Sequence, residues 1–211
     1  MYSPEDQTAK AKIRDAAIAL FGRHGPDAVS LRAIADAAAV SQPLIIKHFG
    51  SRAGLIKTAD EHVLGVVERL LRAEAMGSDS GSRDSRAASV SQLLADSPIA
   101  PYLTHLLTDG RGQRAFKRLA AFAQDLVAQL ASKGMVAPGV DHAELAIVLL
   151  VHDLAPLLLR AHIAEVTGLD PLGRQGLARW SETARLLYAG EALVDADHEF
   201  RGSSPSVSGK L

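Results

Sequence analysis

The sequence predicts an all-α protein: three short helices forming an N-terminal head, a long connecting helix and a helical C-terminal half. Three observations carry this reading. Apolar residues recur at spacings of three and four through the patterned segments, two short capped stretches stand back to back between Ser30 and Phe49, and no segment of the 211 residues gives a convincing strand. No internal repeat is evident.

Ala9, Ile13, Ala16, Ala17, Leu20 and Phe21 form one stripe of a first helix over about residues 9–23, stopped near Gly22 to Gly25. Leu31, Ile34, Ala35 and Ala38 fall at i, i+3, i+4 and i+7 of a second helix, 31–38, with Ser30 placed as its N-cap. Val40 stands where the chain must turn. Ser41 is a second N-cap candidate for a helix over 42–48, and Pro43 lies in its first turn, where a missing N–H costs little. Two capped helices this short and this close have the shape of a helix-turn-helix, whose second helix is suited to a DNA major groove. Leu55, Ala59, Val63, Val66 and Leu70 then mark a long helix, 52–75. A helix-turn-helix cannot bury a core alone, so supporting helices on both sides are expected.

Composition shifts at residues 76–89, MGSDSGSRDSRAAS, which read as a flexible surface loop. Short apolar runs at Val90 to Ala95 and Ile99 to Leu107 precede a long amphipathic segment, Arg111 to Ser132, stopped by Gly134 and Pro138. Ala143 to Ala164 is apolar on nearly all faces and should be covered on several sides. Pro156 deprives the His152 carbonyl of its helical donor, so a kink is expected there. Asp170-Pro171 reads as cap and first residue of a last helix reaching about Ala192, and a polar tail, 195–211, reads as disordered.

A hydrophobic content of 47% is ample for a core, but no clean apolar span of about 20 residues is present. The absence of cysteine excludes disulfides and thiolate metal sites and fits a cytoplasmic protein, as does the lack of a secretory leader. The net charge of −1 is neutral evidence on nucleic acid, and residues 1–62 hold eight bases against seven acids. Placement of cations therefore matters more than their total. His142, His152 and His162 recur every ten residues and so do not share a helix face, which argues against a metal site. Without HExxH, GxSxG, a phosphate-binding glycine loop or a carboxylate pair, neither enzyme activity nor a cofactor is expected.

Residues 8–62 resemble the tetracycline-repressor-like (TetR) transcriptional regulators. The resemblance rests on IRDAAIALFGRHG, then VSLRAIADAAAVS, then the segment ending HFGSRAGL, with His48, Phe49, Ser51, Arg52 and Leu55 kept. Three positions depart from the family pattern. Ile46 stands where the family usually carries a phosphate-reaching tyrosine, Ala39 where the turn usually has glycine, and Pro43 where glycine is commoner.

On this reading Gln42 addresses an adenine edge, Leu44 a thymine methyl and Lys47 a guanine or phosphate, with Pro43 beside them. Arg32, His48 and Arg52 are expected on phosphates. Ser41 serves either there or as a cap alone. Leu31, Ile34, Ile45 and Phe49 are expected in the core. The domains expected are a head over 1–51, a connecting helix over 52–75 and an effector-binding and dimerisation domain over 76–194. The resemblance implies a repressor that binds a near-palindromic DNA operator as a homodimer and is released by a small-molecule effector. The apolar late helices, about 143–164 and 171–192, are the expected dimer interface. Effector candidates are Tyr102, His105, Phe116, Phe122, His152 and Asp153; for the last two, a satisfied core histidine or an interfacial ion pair stand beside the ligand role. The competing expectation is a helical ligand-binding or interaction protein that has lost DNA binding.

Overall fold

The computed structural model describes residues 4–76 and 97–188. In chain order these form α1 (Pro4–His24), α2 (Leu31–Ala38), α3 (Gln42–Phe49), α4 (Arg52–Met76), α5 (Ile99–Thr108), α6 (Gly112–Ser132), α7 (His142–Leu158), α8 (Arg160–Thr167) and α9 (Arg174–Tyr188). No strand occurs among the described residues. The apolar run Val90 to Ala95, the tail 195–211 and the expected loop 76–89 beyond Met76 lie outside them.

The head closes around Ile13, Ala17, Phe21, Ile34, Ile45, Leu55 and Ala59, all fully buried. Ser30 caps α2 by accepting from the Ala33 N–H at 3.1 Å. α2 ends at Ala39, whose φ of 53° and ψ of 47° make it the one non-glycine with positive φ among the described residues. The Ala39 and Val40 N–H groups return to the Asp36 and Ala35 carbonyls, closing the turn. A Cβ is unfavourable in this left-handed geometry by roughly 1–2 kcal/mol. Ala39→Gly should therefore stabilise the fold by about 1 kcal/mol after the greater freedom of unfolded glycine is subtracted, raising the thermal midpoint by about 2–4 °C. Calorimetry of the two proteins checks this.

α4 joins the head to the rest, packing on α1 and α3 near its start and on α5 and α6 beyond. α1 also lies directly on α5, and Gly22 permits that approach. A Cβ at Gly22 would stand 3.0 Å from the Pro98 carbonyl oxygen and 3.2 Å from the Tyr102 nitrogen. α6 and α7 pack together, burying Leu119, Val127, Ala146 and Leu150.

Two late elements differ from expectation. The apolar segment expected as one helix over 143–164 is two, α7 and α8, bent by 72°. The break falls at Leu159, three residues after Pro156 removes a helical donor. α9 starts at Arg174 rather than at Pro171. The Asp170 carboxylate accepts from the Leu172 N–H at 3.1 Å and its carbonyl from the Gly173 N–H at 2.9 Å, so these residues form a turn before the helix.

Arg160 donates to both Asp170 oxygens, at 2.9 and 2.7 Å, tying α8 to that turn. This guanidinium holds the Asp170 carboxyl below its ordinary value of 3.8. A lowered carboxyl contributes stability that is present above the unfolded value and lost as pH falls through the folded one. Acidification below about pH 4 should thus weaken the α8–α9 corner, and Asp170→Asn should flatten that acid dependence, as thermal unfolding between pH 3 and 6 would register. No single helix among the described residues is long and apolar enough to cross a membrane.

Candidate nucleic-acid interface and interior cavities

α3 is divided by burial. Ile45 lies in the core, whereas Ser41, Gln42, Pro43, Ile46 and Lys47 are exposed and Leu44 is half-buried. Ser41 occupies the N-cap position, but its hydroxyl makes no capping hydrogen bond. Capping alone therefore does not account for it. Arg32 is exposed on neighbouring α2. Within α3, Gln42, Pro43, Ile46 and Lys47 share the side away from Ile45, with Ile46 (41% exposed) in its midst.

Two expected phosphate ligands are placed otherwise. His48 is only 7% exposed, with its ring edge-on to Phe49 at 6.3 Å, because it shares the inward stripe of Ile45. Its imidazole belongs to the packing of the head. Arg52 is turned inward as well. Its guanidinium donates to the Pro26 carbonyl and lies 5.7 Å from the centre of the Phe21 ring, holding the α1–α2 connection against the start of α4. Lys10, which sequence reasoning left unassigned, has its ammonium 5.8 Å from the Phe49 ring centre, beside the end of α3.

The six effector candidates do not come together. Tyr102 is 1% exposed and its hydroxyl donates to Asp60 Oδ1 at 2.7 Å. Arg111 reaches the same oxygen at 2.6 Å and also binds Asp109. Burial raises the Asp60 carboxyl above its ordinary range, against the lowering effects of Tyr102 and Arg111. Burial, reinforced by the bond to Asp60, likewise pushes the Tyr102 phenol up. Burial opposes the charge of Arg111, but the Asp109, Tyr102 and Asp60 oxygens more than offset it. Tyr102 is thus a structural tie between α4 and α5 rather than a residue open to a ligand. Phe116 packs against the core, and Phe122 lies under the Arg72 guanidinium at 5.1 Å.

His105, by contrast, lines a cavity of about 720 Å³ between α1, α5 and the α7–α8 bend. His152 lines a second, of about 360 Å³, where its ring stacks on Trp180 at 5.7 Å. Asp153 is exposed, 3.2 Å from His152 Nδ1. Both volumes lie in the about 300–1,000 Å³ range of small-molecule sites. One local signal marks this polar tie: Asp60 interrupts the apolar stripe Ile56, Leu64 and Val67. Among the described residues no three His, Asp or Glu side chains come together as a metal-binding group.

Residues 13–59 match the family model described as bacterial regulatory proteins, tetR family. Over 105 residues the chain is 41% identical to the HTH-type transcriptional regulatory protein RaaS of Mycobacterium tuberculosis, covering 50% of this chain and 48% of that protein. It is 38% identical over 65 residues to an HTH-type transcriptional repressor of the same species, covering 31% and 35%. The chain thus spans about half the length, or less, of these curated relatives. Among solved structures it resembles the fatty acid degradation regulator FadR from Bacillus halodurans, with a TM-score of 0.65 and 16% identity over 90% of this chain and 97% of that one. That likeness is one of fold. The head, residues 13–59, thus matches the tetR family of bacterial regulatory proteins, and over about half its length the chain is similar to a transcriptional regulatory protein.

Proposed function

We propose that the protein is a cytoplasmic, DNA-binding transcriptional repressor that grips a near-palindromic operator as a homodimer and is released by a small-molecule effector. The observation that carries this is the outer face of α3. Gln42 and Lys47 project from a short helix whose other side is locked into the head by Ile45 and His48. Such a helix enters a major groove with its N-terminal residues at base edges and flanking cations on phosphates. Gln42 and Leu44 read bases, while Arg32, Lys47, Lys10 and the Ser41 hydroxyl hold the backbone. His48 and Arg52 support this face from behind.

The dimer reading is supported by an uncovered apolar stripe on α7. Val148 is 56% and Val151 50% exposed, and Leu158 and Leu159 continue the row. Exposed apolar rows of this kind mark association surfaces. One head meets only a half-site, so a two-fold pair supplies the remaining affinity. Residues 1–51 act as the reading head, α4 as the connector and the later helices as the effector and dimer domain.

The test is binding to fragments of the gene's own upstream region. Gln42→Ala should cost about 1–3 kcal/mol at one operator position and relax base preference there, as a competition assay with point-substituted operators would show. Equal binding of wild type and Gln42→Ala across all such operators would remove Gln42 from the reading face. A chain that binds no DNA at any salt concentration would instead be a helical ligand-binding or interaction protein.

A further inference from the structure

The 720 Å³ cavity lies where three parts of the molecule meet. Its wall takes Ala19 and Arg23 from α1 in the head, His105 from α5, and Leu157, Leu158, Ala161 and Ala164 from the two sides of the α7–α8 bend. Most of that wall is hydrocarbon. Its ionisable groups are Arg23, His105, Arg160 and Asp170. Asp170 is committed to Arg160 through two hydrogen bonds of 2.9 and 2.7 Å. Beyond that pair, the wall carries the exposed guanidinium of Arg23 and the imidazole of His105.

We propose that this cavity is the effector site and that it takes an apolar molecule bearing one carboxylate, with the anion at Arg23 and His105 and the hydrocarbon against Leu157, Leu158, Ala161 and Ala164. A carboxylate gains the attraction of the Arg23 charge, which a neutral guest forgoes, and a cationic guest is repelled by it. The inference deepens the effector-controlled reading above and rests on it for its consequence, though not for the binding itself.

The location gives the ligand a direct hold on the head. His105 is close to the turn after α1, since a Cβ at Gly25 would lie 3.8 Å from its Cε1. α1 is pressed onto α5 at Gly22, one residue before Arg23. A guest lodged between α1 and α8 therefore bears on the reading head and on the helices that carry the apolar stripe at once. It alters DNA affinity to the extent that it binds two relative positions of α1 and α8 differently.

The test is isothermal titration calorimetry of the full chain without DNA, with decanoate, decanol and decyltrimethylammonium as probes. Decanoate should bind once per chain, decanol at least about tenfold more weakly, and decyltrimethylammonium not at all. Arg23→Gln should weaken decanoate by about tenfold while leaving decanol unchanged. Ala161→Trp, which fills the cavity from an exposed helical position, should abolish binding of both, with an unchanged circular-dichroism melt showing that the variant is folded. Three results would overturn the proposal: no decanoate binding at about 1 mM, decanoate binding undiminished in both variants, or cationic probe bound as tightly as anionic. Loss of the operator reading with these titrations as expected would leave the site standing. Failed titrations with operator binding intact would remove the site alone.

Discussion

Asp60→Ala is expected to lower the unfolding free energy by about 2–3 kcal/mol, although the residue lies outside the reading face. The reason is what it leaves behind. Asp60 Oδ1 accepts from the Tyr102 hydroxyl at 2.7 Å and from Arg111 at 2.6 Å, and Tyr102 is buried. Removing the carboxylate strands a buried phenol and takes one of the two acids from a partly buried guanidinium. Arg111 keeps Asp109, which limits the loss. Tyr102→Phe is the contrasting case. It deletes the hydroxyl and leaves the Asp60–Arg111 pair whole, so it should cost only about 1 kcal/mol. Urea unfolding of the two variants, with equal slopes, checks both the size and the order. Equal costs would mean that neither the stranded phenol nor the lost Arg111 pair adds to the loss of the Tyr102–Asp60 bond itself.

Val151→Glu should weaken operator binding by at least about 100-fold, equivalent to about 2.7 kcal/mol, while leaving the protomer folded. Val151 is half exposed in the single chain, so a carboxylate there meets water and the fold tolerates it. Across a two-fold axis the same substitution places two like charges in an apolar contact, where each is costly without a partner. Sedimentation should show a dimer become a monomer, and circular dichroism should show unchanged helix. A variant that remains dimeric and binds normally would place the interface away from this stripe.

The parts of the fold legible in the sequence were those set by local chemistry. Ser30 before a helical stripe gave α2 its bounds, and Ser41 at the N-cap position with Pro43 in the first turn gave α3 to within one residue, because a helix start is set by local chain chemistry. α4 was equally readable from Leu55, Ala59 and Val63. What was missed depends on distant partners. Arg52 read as a phosphate ligand because nothing local reveals that Pro26 offers it a carbonyl 26 positions away. His48 carried its own warning, since it falls three residues after Ile45 on the buried stripe. Pro156 announced a disturbance in α7, but the separation into two helices at 72° also depends on how α8 is held by Arg160 and Asp170. Tyr102 looked like a pocket residue by type. Only the pairing of α4 with α5 and Arg111 shows that its hydroxyl is already used.

Salt dependence of DNA binding tests the central claim most directly. If the outer face of α3 meets DNA, affinity for an upstream fragment should fall linearly with the logarithm of salt concentration. Arg32, Lys47 and Lys10 on each of two heads give an expected slope of about −5, at roughly −0.9 per phosphate neutralised. Lys47→Ala should make that slope shallower by about 2, one phosphate contact being lost from each head. A slope of zero, or one that Lys47→Ala leaves unchanged, would contradict the assignment of α3 as the DNA-reading helix.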